Sequence, residues 1–368
     1  MNEKPQPCTH CGAVHPRVNL TWMGSAELCP ECLQRYTVCC DCCGERIWMA
    51  NDYGTHYLHL CASCRADNYV TCENCGALIP QEDAHYNDED EAYCDSCYER
   101  GYGGTIHNYS YKPEPIFYGD GPLYLGVELE VDEAGKDNIN AVQALRAFNQ
   151  ENVYGYVKSD GSLNDGFELV THPCTLETHL QQVPWRETLE ALRGMGYRSH
   201  APGTCGLHVH VSRKALGKDV YEQEETIAKL LYIFERFWQE ILRFSRRTES
   251  QINHWAARYG YKDRGEEILK EAKHGANGRY ACINLTNTDT IEFRVFRGTL
   301  KYNTVIATLQ FVANLCRVAI SLPEYRIQEF SWPALIEALT QDNCPELVQY
   351  LKERNLYVNE PVTAEREV

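Results

Sequence analysis

The sequence predicts an α+β fold for residues 123–368, preceded over residues 1–100 by a repeated array of small cysteine-rich modules. Three observations carry this. Of 19 cysteines in 368 residues, fourteen lie before residue 98. A CxxCG motif recurs there with a fixed period. Beyond residue 122, short apolar segments of period two alternate with longer segments of helical period, the pattern of a sheet with intervening helices.

The repeat begins at Cys8, Cys40 and Cys72, starts spaced 32 residues apart. A second CxxC follows in each unit, at Cys29, Cys61 and Cys94. Two cysteines three apart in a tight turn, with Gly12, Gly44 or Gly76 behind them, present two sulfurs to one tetrahedral zinc ion, and a second such pair completes the site. The predicted ligand sets are Cys8, Cys11, Cys29 and Cys32; Cys40, Cys43, Cys61 and Cys64; and Cys72, Cys75, Cys94 and Cys97. They define modules at about 8–32, 40–64 and 72–97 and three structural Zn2+ ions. In the run Cys39-Cys40-Asp41-Cys42-Cys43 the 32-residue register selects Cys40 and Cys43, leaving Cys39 and Cys42 as spare thiols. A unit of about 30 residues buries too little apolar surface to fold alone, so the metal must supply stability. The spacing is similar to that of LIM-like and treble-clef-like fingers.

Residues 1–100 hold six Lys and Arg against sixteen Asp and Glu, a net −10, and the whole chain carries −17. Four thiolates around one divalent ion add about two further negative charges per site. Phosphate backbones would be repelled, so the array is expected to bind protein rather than nucleic acid. The opening MNEKPQPC has no apolar signal core. The most hydrophobic long stretch, 226–244, is interrupted by charges and reads as an amphipathic helix, so no membrane span is expected. Thiols spaced as metal ligands fit a reducing cytoplasm.

Residues 101–122, rich in Gly, Pro and Tyr, read as a linker whose later half packs on the next domain. The domain at 123–368 then shows strands at 123–131, 152–163, 166–171, 205–212, 279–286 and 290–298. Helices are expected at 137–150, 177–194, 221–247, 302–320 and 333–353.

Charged residues occur in these strands at alternate positions. Glu128 and Glu130 share one face of LYLGVELEV, as do His208 and His210 in CGLHVHVS and Glu292 and Arg294 in TIEFRVFRG; Glu168 stands alone in GFELVT. Aimed at one face from several strands, such groups are costly unless they meet a metal or a charged ligand.

The ordered set GVELEV, DGSL with GFELVT, CGLHVHVS, and RYACINLT with TIEFRVFRGT resembles the amidoligase family of the carboxylate-amine ligase superfamily, to which glutamine synthetase and glutamate-cysteine ligase belong. The resemblance spans roughly 109–320. It implies a glutamine-synthetase-like antiparallel sheet and an ATP-dependent amide-bond-forming ligase acting through an acyl phosphate. It also implies Mg2+ or Mn2+ ions holding the ATP phosphates, one served by Glu128, His208 and Glu292, another by Glu130, Asp160 and Glu168. His210 would face the phosphates, and Ser162 and Asn284 would orient ligands. Arg294 would neutralise the transferred phosphoryl group, with Arg279 and Arg297 as further phosphate or carboxylate ligands. Arg297, of opposite parity, could act only from the strand end. The substrates are a carboxylate and an amine, on a small molecule or a protein. The alternative is a zinc-module adaptor whose ligase-like domain binds nucleotide without turnover.

Overall fold

The computed structural model describes residues 4–87, 90–99, 104–274 and 278–357. The chain divides into two compact units, Met1–Gly104 and Thr105–Val368.

In the smaller unit each first CxxCG forms a knuckle. The Gly12 N–H donates to the Cys8 carbonyl at 2.9 Å, and Gly44 and Gly76 repeat the bond to Cys40 and Cys72 at 2.8 Å. These glycines have φ of +77°, +75° and +70°, a region that disfavours any side chain. The second CxxC opens a short helix in each module: Pro30–Tyr36, Ala62–Asn68 and Asp95–Glu99. Each module's few buried apolar residues pack around its cysteines. Trp48 reaches the first module's cluster and Leu78 the second's, so neighbouring repeats share surface.

The larger unit is built on one eight-stranded sheet. Its strands are β1 (Ile106–His107), β2 (Tyr124–Val131), β3 (Gly155–Lys158), β4 (Phe167–Thr171), β5 (Cys174–Thr175), β6 (Gly206–Ser212), β7 (Ile283–Asn284) and β8 (Thr290–Arg297). The order is β1-β3-β4-β2-β6-β8-β7, with β5 paired to the start of β2. All pairings are antiparallel except β1 with β3. Leu125, Val127, Leu129 and Val131 of β2, Leu207, Val209 and Val211 of β6, and Ile291, Phe293 and Val295 of β8 enter one core with the helices Val220–Arg236 and Tyr302–Ser321. The alternation leaves the other face of the same strands to the charged residues.

Several boundaries differ from expectation for identifiable reasons. The segment 177–194 is two helices, Leu176–Gln181 and Trp185–Gly194, because Pro184 cannot donate to a continuous ladder. The expected 221–247 helix breaks at Phe237, which leaves helical geometry (φ −105°, ψ 34°) and packs edge-on against Trp332. The segment 333–353 likewise divides into Trp332–Leu339 and Pro345–Glu353, the second opened by its own proline. The helices Glu249–Trp255 and Gly265–His274 had no counterpart in the sequence reading. From Thr105 onward the expected linker is part of the larger unit: β1 pairs with β3, and Tyr118 bridges to Cys174. The helix Tyr302–Ser321, and not 226–244, is long and apolar enough to cross a membrane; it is largely buried as the domain's core helix.

Candidate active site

Strand register assembles the charged face. Glu128 lies opposite Val170 on one side and His208 on the other; Glu130 lies opposite Glu168, and Glu168 opposite Lys158. His210 pairs with Glu292, which pairs in turn with Asn284. Residues directly opposite on one face are neighbours in an antiparallel sheet, so these rows become a continuous floor. That floor lines a cleft of about 1380 Å³. Its walls include the turn at 159–164, the segment 109–112, Arg247, Trp255, Arg279 and Tyr280.

The centre of the floor is a crowded set of carboxylates and imidazoles. His208 Nδ1 lies 3.2 Å from Glu128 Oε2, 3.5 Å from Glu292 Oε1 and 3.9 Å from Glu130 Oε1. His210 Nε2 lies 3.1 Å from Glu128 Oε1 and 4.0 Å from Glu292 Oε1. That nitrogen is buried and makes no hydrogen bond. Glu292 is held from both sides, by Arg294 Nη1 and by Asn284 Nδ2 at 2.8 Å. Lys158 Nζ meets Glu168 Oε2 at 3.3 Å. Ser162 donates through its N–H and its hydroxyl to Asp160 Oδ1, fixing that carboxylate on its turn.

Burial and mutual charge pull the acids apart. Burial would raise Glu128, but His210 and His208 beside it hold its carboxyl well below the usual range. Burial, with Glu128 nearby, pushes Glu168 well above it against the opposing Lys158. Glu130 is raised by burial in spite of His208. His210 is raised, because Glu128 and Glu292 outweigh its burial. Carboxylates pushed apart in this way within one cleft make it the candidate site.

The ligand atoms fall into two groups, each with all atoms within 4.8 Å of one another: Glu128, His210 and Glu292, and Glu128, Glu168 and His208. The expected sets were Glu128, His208 and Glu292, and Glu130, Asp160 and Glu168. Glu128 is common to both converging groups, and His210, expected beside the phosphates, falls in one of them. Glu130 is instead bound to the Gly206 N–H, and Asp160 stays on its turn; both still line the cleft. Ser162, Asn284, Arg279 and Arg294 line it too. Arg279 hydrogen-bonds Tyr109 and Tyr280 through their hydroxyls. Arg297 is absent from the cleft lining, because its parity turns it away, and its carbonyl accepts from Arg246. Sequence reasoning passed over Lys158 and Arg247. Lys158 stands in a strand at the parity of the site face, which was the available signal; Arg247 sits after a helix, where no periodicity points.

The chemistry of the donors suits divalent cations. Carboxylate oxygens with imidazole nitrogens accept Mg2+ or Mn2+, and a cation would relieve the packing of three carboxylates, Glu128, Glu130 and Glu292, around His208. In the smaller unit, the three predicted four-cysteine sets are the sets that converge. Sulfur separations of 3.8 Å (Cys11 to Cys29), 3.9 Å (Cys43 to Cys61) and 3.8 Å (Cys75 to Cys94) match the edges of a tetrahedron around zinc. Cys39 and Cys42 lie exposed outside the second set. Although burial opposes the shift, the backbone N–H groups of Cys11, Cys29 and His10 bring Cys8 down to about 6, while burial and the neighbouring thiols push Cys32 of the same set up. Thiolates of this kind are what zinc requires.

Gly206 has a specific task here. A Cβ at this position would lie 2.3 Å from His208 Nε2 and 2.9 Å from Arg247 Nη2. Gly206→Ala should therefore displace the imidazole and weaken divalent-cation binding by about tenfold or more, as losing a ligand's orientation does. Calorimetric titration with Mn2+ checks this; unchanged affinity would show that His208 needs no such space.

Fold and site together define an α+β domain with a cleft floored by carboxylates and imidazoles. Residues 146–316 match the family model described as "Putative amidoligase enzyme". The matched segment holds β3, β4, β6 and β8; β2, with Glu128 and Glu130, precedes it and joins the site through register. Among solved structures, a bifunctional glutathione synthetase from Pasteurella multocida is similar at 15% identity and a TM-score of 0.31, over 63% of this chain and 46% of that one. The complex between the prokaryotic ubiquitin-like protein Pup and its ligase PafA is similar at 10% identity and a TM-score of 0.29, over 63% of this chain and 62% of that one. The chain thus spans about half the length of the first and less than two thirds of the second. No curated protein matches it.

Proposed function

We propose that the protein is an ATP-dependent carboxylate-amine ligase. The observation that carries this is the cluster in which Glu128 is shared between two groups of converging ligand atoms, with Arg294 beside it, in a domain whose residues 146–316 match the amidoligase family model. Glu128, Glu168, His208, His210 and Glu292 would hold Mg2+ or Mn2+, which supplies charge neutralisation for the phosphates of ATP. Glu130 and Asp160 complete the acidic wall. Arg294 and Arg279 stabilise negative charge on the transferred phosphoryl group. Ser162 and Asn284 fix the carboxylates of Asp160 and Glu292.

In the reaction a substrate carboxylate oxygen attacks the γ-phosphorus and ADP leaves, giving an acyl phosphate. An amine then attacks the acyl carbon. Phosphate departs with the former carboxylate oxygen, and the amine nitrogen loses a proton. No enzyme nucleophile is needed. Cys205 and Cys174, each close in sequence to these motifs, are buried and pushed up to about 12 by that burial, which keeps them as thiols.

The zinc array recruits a protein partner or substrate in the cytoplasm. Its net −10 favours a basic or lysine-rich surface. Attraction of this kind should weaken with salt, being screened over about 8 Å at physiological ionic strength. The test of the whole reading is incubation of the full chain with ATP, Mg2+ and pools of carboxylates and amines, with products read by mass spectrometry. ADP, phosphate and an amide in equal amounts are expected; ADP and phosphate without amide would reduce the protein to an ATPase.

A further inference from the structure

Arg247 enters the cleft from outside the sheet. The helix Trp238–Ser245 ends on Arg246, whose φ of 65° turns the chain, and Arg247 follows it. The backbone N–H of Arg247 donates to Ser245 Oγ at 3.1 Å, which fixes the turn. Its side chain lines the cleft, and the residue is only 6% exposed. Nη2 reaches the Phe296 carbonyl at 3.3 Å. Nε and Nη1 are buried and make no hydrogen bond, and the same holds for Arg294 Nε. Among the described residues no carboxylate forms an ion pair with Arg247, and the Oε2 of nearby Glu130 accepts from the Gly206 N–H. A buried guanidinium with two idle donors is expensive, since desolvated donors without partners cost about 1–3 kcal/mol each. Burial lowers it to about 10, so it remains a cation at neutral pH.

Two such groups, from an element outside the sheet and from β8, line one cleft next to the carboxylate floor. We propose that Arg247 and Arg294 form a two-guanidinium subsite that binds an oxyanion of the reactants, either a phosphoryl group or the substrate carboxylate. The subsite rests on the ligase reading of the cleft. Arg294 is anchored by Glu292, so it presents its remaining donors in a fixed orientation. Arg247 has no such anchor; its backbone turn and the space above Gly206 position it instead. Guanidinium donors suit planar carboxylate and tetrahedral phosphoryl oxygens alike, and they bind both more selectively than lysine does.

The experiment is calorimetric titration of the full chain, with Mg2+ and ADP present, using inorganic phosphate in one arm and succinate in the other. Mg-ADP affinity and the melting temperature are recorded for each variant. Arg247→Gln should weaken one of the two anions at least tenfold, and the arm that responds names the source. Arg247→Lys should restore part of that loss, since it keeps the charge without the fork. Mg-ADP affinity should stay within about threefold, because the anion assigned to Arg247 is not part of ADP. If Arg247→Gln does not fold, Arg247→Lys alone must still bind the responding anion more weakly than the natural chain. Unchanged affinity for both anions, or a natural chain that binds Mg-ADP but neither anion, overturns the subsite and leaves the nucleotide reading standing. A natural chain that binds an anion through Arg247 but no Mg-ADP supports the subsite and overturns the ligase reading.

Discussion

Replacing Glu128 by Gln should lower ATP-dependent turnover about 10³-fold, roughly 4 kcal/mol of transition-state stabilisation at 1.36 kcal/mol per tenfold. The size follows from position. Glu128 contributes one oxygen toward His208 at 3.2 Å and the other toward His210 at 3.1 Å, and it belongs to both groups of converging ligand atoms. Losing it should disable both cation positions at once. Glu168→Gln, Glu292→Gln and His208→Ala each touch one group and should cost nearer 10²-fold, the scale of a single lost contribution to metal-assisted phosphoryl transfer. The fold should survive, because the core lies on the opposite face of β2 through Leu125, Val127, Leu129 and Val131. A melting temperature within a few degrees, together with ADP release measured at saturating Mg2+, checks the pair of expectations. Turnover above a tenth of the natural rate in Glu128→Gln would mean that the shared carboxylate does not hold the reacting cations.

The second large effect concerns zinc. Cys40→Ser should reduce the bound zinc from three ions to two and unfold the second module. Structural zinc contributes on the order of 10–16 kcal/mol in modules of this size, far beyond what a core of Leu60 and a few partly buried neighbours can supply. Because Leu78 packs on that core, protection of backbone amides should also fall in the adjacent part of the third module. Cys39→Ser and Cys42→Ser should leave three zinc ions, since both thiols lie exposed outside the converging set. Elemental analysis with hydrogen exchange reads both. A chain that keeps three zinc ions after Cys40→Ser would reassign the ligands to one of the spare thiols.

The zinc ligands were legible because a fixed spacing is nearly the whole of their geometry: the 32-residue register and Gly44 chose Cys40 and Cys43 over Cys39 and Cys42. The floor of the cleft was legible for a related reason. Strand periodicity is exact, so Glu128 and Glu130, or His208 and His210, must share a face once the strand is recognised. What periodicity does not contain is the register between strands. Strand parity could not say that Glu128 meets both histidines of β6, nor that Glu130 accepts from the Gly206 N–H. Arg247 was invisible for a further reason. It is placed by the left-handed turn at Arg246, a tertiary feature that no spacing in FSRRTES announces. Helix breaks at Phe237 and Pro184 show the same division. The proline was readable in advance, whereas Phe237 leaves the helix to meet Trp332, a partner 95 residues away.

The claim that most needs testing is that phosphate is released from an acyl phosphate and not by water. Turnover in ¹⁸O-labelled water, with mass spectrometry of the released phosphate, decides it. Ligation delivers the fourth phosphate oxygen from the substrate carboxylate, so phosphate formed in step with amide should carry no solvent label. Phosphate bearing one solvent oxygen per turnover, with no amide formed, would contradict the account and make the cleft that of a hydrolase.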